Sequence, residues 1–159
     1  MSDQKIEQAW TTPTHQQIIE LTKQHVAALE GTDVDAAWMQ AGMHHIVLRT
    51  IGRKTGAEHK IALPVWNDAN GDRIVVASFA GHEKHPAWFV NLRDRTANPE
   101  VLCRAQTHSF WSVPEILLGA QRVEPWAQLT QDRAWYNDYQ NKTSREIPLV
   151  RLPETRAAE

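Results

Sequence analysis

Five consecutive residues, Gly52-Arg53-Lys54-Thr55-Gly56, set two cations, a hydroxyl and a run of backbone N–H groups between two glycines. These are the parts that hold a phosphate or carboxylate tail, because charge-assisted donors and exposed amides both favour an anion. Arg49 and Lys60 flank the turn. The spacing is not that of a Walker loop, and taken alone the turn reads first as a hairpin with solvated charges.

A second group begins at Ala77-Ser78-Phe79-Ala80-Gly81, where a strand ends in small residues and a flat ring can approach the backbone. His82-Glu83-Lys84-His85-Pro86-Ala87-Trp88 follows, and the helix opening there presents free N–H groups suited to an anionic group. Trp88 can pack on such a ring and Lys84 can meet its tail; equally, Trp88 is core and Lys84 is surface. The His82–His85 run is one residue short of the zincin spacing, which excludes a zinc protease. His44 and His45 point to opposite faces of a strand, so they do not share a metal. Cys103 reads as a small buried hydrophobe and not as a nucleophile.

Trp135-Tyr136-Asn137-Asp138-Tyr139 is the third group. On a helix, Tyr136 and Tyr139 lie three residues apart and face one cleft. A phenol there orients a polar substrate or donates a proton. The same spacing also serves to seat a helix on a sheet.

The elements that must position these groups follow from periodicity. Residues 14–29 carry a helical pattern with Ile18, Leu21, Thr22, His25, Val26 and Leu29 on one face, capped by Thr14 and closed by Gly31. A second short helix is placed between 33 and 42. Strands are predicted at 45–51, 60–66 and 73–78, the last two forming a hairpin across an Asn-Gly turn. A short helix opens at His85-Pro86. Strands at 101–104 and 108–113, a helix from 124 to about 141 and a strand at 147–152 complete the chain. The result is one α+β domain with an antiparallel sheet: a helical segment at 1–42, a core at 43–153 and a frayed tail at 154–159.

Composition bounds the function. A chain of 159 residues with 42% apolar and 23% charged residues is an ordinary single globular domain. Its formal charge of −2 gives no field for gathering nucleic acid, although Arg49, Arg53, Lys54 and Lys60 make a local patch. One cysteine excludes an internal disulfide, and a polar amino terminus lacks a signal-peptide core, which together predict a cytoplasmic protein. The helix at 14–29 has few cations on its polar face, so it reads as core packing and not as a membrane contact.

In order along the chain, Leu48-Arg49-Thr50-Ile51-Gly52-Arg53-Lys54-Thr55-Gly56, Asp72-Arg73-Ile74-Val75-Val76-Ala77-Ser78, Gly81, Lys84-His85-Pro86-Ala87-Trp88, Asn91-Leu92 and Asn98-Pro99-Glu100-Val101 resemble the deazaflavin-dependent nitroreductase family. Tyr136-Asn137-Asp138-Tyr139-Gln140 and Arg145-Glu146-Ile147-Pro148-Leu149-Val150 resemble its closing helix and strand. The resemblance runs from about Met43 to Leu152. It implies a split β-barrel, usually a homodimer, that binds the deazaflavin coenzyme F-420 and reduces quinones, nitroaromatics or activated double bonds. It implies that Arg53, Lys54 and Thr55 hold the acidic, phosphate-bearing tail, that Ala77, Ser78 and Trp88 border the deazaflavin, and that Tyr136 and Tyr139 face the small-molecule substrate.

The chain departs from that pattern at Phe79-Ala80, where Lys-Gly is usual, and at His59 and Ala62, where Arg and Pro are usual. Two missing cations weaken a tail site by about 1.5–3 kcal/mol per contact. Lys60 or Lys84 is the compensating candidate, and His59 stays among the expected cofactor-binding residues. Flavin mononucleotide (FMN) is the alternative cofactor, and a non-catalytic carrier of an apolar ligand is the alternative function.

Overall fold

Aliphatic residues along Met43–Ile51 build the longest strand, and its two faces serve different partners. Ile46 and Leu48 point into one core, while Val47 packs with Val26, Leu29 and Trp38 of the amino-terminal helices. The computed structural model describes residues 4–158. Among these the order is α1 (His15–Glu30), α2 (Asp35–Trp38), β1 (Met39–Gln40), β2 (Met43–Ile51), β3 (Glu58–Pro64), β4 (Trp66–Asn67) and β5 (Arg73–Val76). A single 3-10 turn (Phe79–Gly81) leads to α3 (Ala87–Arg93), β6 (Val101–Arg104), β7 (Ser109–Ser112) and β8 (Glu115–Leu117). Helices α4 (Ala120–Asp132) and α5 (Trp135–Asn141) and strands β9 (Leu149–Arg151) and β10 (Arg156–Ala157) close the chain.

Two antiparallel sheets form the α+β split barrel. One runs β1-β2-β6-β7-β10, with β3 also paired to β2; the other runs β4-β5-β9-β8. Ile46, Leu48, Val101, Cys103 and Phe110 of the first sheet meet Val75 and Val150 of the second, and Trp88, Phe89 and Leu92 of α3 seal the core. Each buried Leu, Ile or Phe contributes about 1.5–3 kcal/mol against about 0–1 for an exposed ion pair, so the barrel stands on this core. On the outer face of the second sheet, Ile74 and Leu149 pack against Leu129, Trp135, Tyr136 and Tyr139. That packing brings α5 to the cavity described below.

The amino-terminal helix forms as its sequence predicts, with a capping box between Thr14 and Gln17. Its face is a correction: only Val26 and Leu29 of α1 are buried, and Leu21 is 53% exposed. The predicted hairpin also changes. Residues 58–64 pair with β2 in the first sheet, and only Trp66 and Asn67 pair with β5. Pro64 has no N–H to continue the ladder, and the chain crosses between sheets just after it.

The long carboxy-terminal helix is two helices broken at Arg133, which has extended backbone at φ −137° and ψ 74°. The tail is not frayed: β10 pairs with β7, and Arg156 stacks on Trp111 and pairs with Glu100. Cys103 is fully buried, and burial pushes its thiol up to about 12. Among the described residues no helix is long and apolar enough to cross a membrane.

Candidate active site

A cavity of about 780 Å³ opens between α1, the turn after β2, β3, the 3-10 turn, α3 and α5. Its walls bring together Arg53, Lys54, Thr55, His59, Lys60, Ser78, Trp88, Tyr136 and Tyr139. Two residues expected there stand elsewhere. Ala77 is fully buried in the barrel core, because strand alternation sends Val76 and Ser78 to the cavity and the residue between them inward. Lys84 is exposed on the segment before α3 and outside the cavity wall, with its backbone N–H donating to His82 Nδ1 at 2.9 Å.

The cationic turn is held by two asparagines of α3 and the loop that follows it. Asn98 accepts from the Ile51 N–H at 2.7 Å and donates to the carbonyls of Ile51 and Asn91, both at 2.8 Å. Asn91 Oδ1 in turn accepts from Arg53. Within the turn, the Gly56 N–H closes onto the Gly52 carbonyl at 2.9 Å, and Thr55 Oγ1 accepts from the Ala57 N–H. A Cβ on Gly52 would lie 2.8 Å from Thr55 Oγ1 and 3.0 Å from His59 Nε2, so a larger residue there would displace those two side chains.

The wall that carries Ser78 is shaped by Arg145. Its guanidinium donates to the carbonyls of Ala77, Ser78 and His82 at 3.1, 2.8 and 2.8 Å. Those bonds hold a turn in which Phe79, Ala80 and Gly81 all take left-handed φ, of 45°, 53° and 81°. Such backbone is costly for residues with a Cβ and persists only where the surroundings fix it.

Tyr136 and Tyr139 come together as their spacing predicts, both buried, with ring centroids 5.9 Å apart and nearly perpendicular. Burial pushes the Tyr136 phenol up to about 12, against the pull of the Arg133 charge. It therefore remains a proton donor at neutral pH. The Tyr139 hydroxyl lies 3.4 Å from Thr12 Oγ1, which accepts from Gln8 Nε2 at 3.0 Å. A polar chain thus leads from that phenol into the amino-terminal segment.

Sequence reasoning missed that segment's part in the site. Trp10, Pro13, Ile18, Ile19, Thr22 and Lys23 all line the cavity. The signal was present, since Ile18, Ile19, Thr22 and Lys23 follow i, i+1, i+4, i+5 spacing on one helix face. It looked like a core stripe.

The electrostatics are one-sided. Lys23, Arg53, Lys54 and Lys60 line the cavity together with His59, and no carboxylate does so among the described residues. In a chain of net charge −2 that segregation suits an anion. The remaining wall is aliphatic and aromatic, as a planar ring requires. The residues present therefore fit a planar cofactor with an anionic tail. Lys60 is partly engaged, with Nζ 2.7 Å from Glu30 at the end of α1.

Comparison with known proteins agrees with that chemistry. A family model described as F-420H(2)-dependent quinone reductase matches residues 21–154. The F-420H(2)-dependent quinone reductase of Mycobacterium tuberculosis is 28% identical over 144 residues, covering 84% of this chain and 90% of that protein. A putative F-420H(2)-dependent quinone reductase of Mycobacterium bovis matches to the same extent. Among solved structures, an F-420-H2 dependent reductase aligns with a TM-score of 0.56 at 29% identity, covering 69% of this chain and 93% of its own. A domain-swapped dimer aligns with a TM-score of 0.58 at 24% identity over 87% of this chain and 98% of its own, which bears on the fold. The chain belongs to the F-420H(2)-dependent quinone reductases, a family of oxidoreductases that use coenzyme F-420.

Proposed function

We propose that this chain delivers a hydride from reduced coenzyme F-420 to a planar, electron-poor small molecule, a quinone first and a nitroaromatic or enone next. The observation that carries the reading is the content of one cavity: cations from the turn and β3 in a wall that holds no carboxylate among the described residues, and two phenols from α5. When bound, the reduced coenzyme supplies the hydride, the step that side chains cannot provide.

Arg53 and Lys54 hold the anionic tail, with Thr55, His59 and Lys60 around it. Ser78 and Trp88 border the ring, Ala77 supports that strand from inside the barrel, and Lys84 acts only through long-range charge. Trp10, Ile18 and Ile19 keep water from the substrate face. The Tyr136 O–H, still protonated at neutral pH, donates to the substrate oxygen that gains negative charge, and Tyr139 orients that oxygen. The chain's share of catalysis is positioning and charge stabilisation. A homodimer belongs to the same reading, since one solved relative is a domain-swapped dimer; sedimentation velocity decides it.

The test is a calorimetric titration of the purified protein with coenzyme F-420 beside FMN, at one salt concentration, followed by reduction of a soluble quinone. Selective deazaflavin binding that the Arg53→Ala, Lys54→Ala double variant weakens at least a hundredfold supports the assignment. Preference for FMN makes this a flavin enzyme on the same barrel. Binding of neither makes the cavity a carrier site.

A further inference from the structure

We infer that Lys23 is a binding residue for the anionic tail of the coenzyme, so that α1 closes the tail site from a second wall. The inference rests on the coenzyme reading above and adds a residue and an element to it.

Lys23 lines the same cavity as Arg53, Lys54 and His59 but stands on α1, while those three stand on the turn and β3. The other cations of the site differ in how free they are. Arg53 already donates to Asn91, and Lys60 is paired with Glu30. Lys23 makes no hydrogen bond or ion pair among the described residues. Its natural helical partner, Glu20 three residues earlier, instead accepts from Gln16 Nε2 at 3.2 Å. Of the carboxylates flanking the site, Glu30 is held by Lys60 and Glu58 by Arg49.

The turn by itself carries enough cationic and backbone donors for a single phosphate. Cations on two separate elements around one cavity suit a ligand whose negative charges are spread along a chain. A ligand with several negative charges lying between them would be attracted from both walls. Lys23 is therefore the residue that separates a tail bearing several charges from the lone phosphate of a flavin mononucleotide.

The helix is mounted for this role. Its carboxy-terminal half is anchored by Val26, Leu29 and Glu30. Its first turn is anchored by His15, whose ring lies 4.9 Å from Phe79 and 4.3 Å from His82. Between these anchors Ile19 and Leu21 stay about half exposed, at 48% and 53%. The middle of α1 therefore buries little, and a small approach toward a ligand costs little.

The experiment is calorimetric titration of the full chain with coenzyme F-420 and with FMN across a salt series, for wild type, Lys23→Ala, Lys23→Glu and Lys23→Arg. Hydrogen exchange over residues 18–25 is followed in parallel. Lys23 is exposed, so none of these substitutions threatens folding. Coenzyme affinity should fall about tenfold in Lys23→Ala, further in Lys23→Glu, and return in Lys23→Arg, with a shallower salt dependence in the alanine variant. FMN affinity should change less than twofold. Coenzyme should protect residues 18–25 in wild type and not in Lys23→Glu. Wild-type binding with an unchanged Lys23→Ala affinity overturns the role of Lys23 and leaves the coenzyme reading intact. Absence of wild-type binding overturns both.

Discussion

Arg53 and Asn91 are joined twice: the backbone N–H and a guanidinium N–H of Arg53 both donate to Asn91 Oδ1, at 3.3 and 2.8 Å. Asn91 is buried on α3, the helix that also carries Trp88 into the cavity. The cationic turn and the aromatic wall are therefore one mechanical unit, and Arg53 keeps its register with Trp88. Replacing Asn91 with Leu keeps the volume and removes the acceptor. Stability should fall by about 1–2 kcal/mol, read as a lower Tm. Coenzyme affinity should fall about tenfold because Arg53 is no longer aimed. A Tm loss with unchanged affinity would show that the turn finds its geometry without Asn91.

Gly81 joins the left-handed turn to α5. At φ +81°, a Cβ on this residue would stand 2.6 Å from the Tyr139 carbonyl oxygen, which is backbone and cannot swing aside. Gly81→Ala should cost about 3 kcal/mol in urea unfolding and displace Tyr139 relative to Ser78. The adjacent Ala80→Gly, also at positive φ (53°), should be neutral or stabilising. Equal losses from both would mean that contact with α5 is not the cause.

How much of this was legible in the sequence follows from how local each signal is. The turn at Gly52–Gly56 and the Tyr136–Tyr139 pair were readable because glycine conformation and helical spacing act over a few residues. The partner of residues 60–66 was not, because register is set by strands far along the chain and Pro64 diverts the path. Ala77 and Ser78 look alike as small residues, and only the phase of the strand decides which meets the cavity. Lys84 and Lys23 are both exposed lysines in sequence terms, and it is the crossing of α1 over β3 that selects the second. The pairing of Arg156 and Ala157 with β7 was hidden because two residues are too few to show a strand period.

His45 contributes to acid stability. Burial, reinforced by His25 and Arg133, holds its pKa near 4, below the ordinary 6.5, although its ring also bonds the Met43 carbonyl at 2.8 Å. The folded pKa is depressed, and for a histidine this means the unfolded chain takes up the proton first. Stability is complete above pH 6.5 and is lost as pH falls toward 4, by about 3 kcal/mol at most from this group. His25, its ring 4.8 Å away and also lowered by burial, adds in the same direction. Urea midpoints measured from pH 7.5 to 4.5 should fall steeply in wild type and less in His45→Gln. Parallel curves would place the acid-sensitive group elsewhere.

Tyr136 bears on alkaline stability and, in the function proposed above, on proton donation. Its phenol is raised to about 12 from the ordinary 10, chiefly by burial, so the neutral form is the one the fold favours. The stability it contributes is complete below pH 10 and is lost as pH rises from 10 toward 12. As a proton donor it should leave kcat for quinone reduction level from pH 6 to about 9, with no fall at the pH where an exposed phenol begins to ionise. Tyr136→Phe keeps the ring and its packing against Trp135 while removing the proton. Coenzyme affinity should stay within twofold and kcat should drop about a hundredfold. The Tyr139→Phe variant, which loses the contact to Thr12, should raise KM more than it lowers kcat. If Tyr136→Phe retains full kcat, the proton comes from water, and the phenol serves only to seat α5 on the barrel.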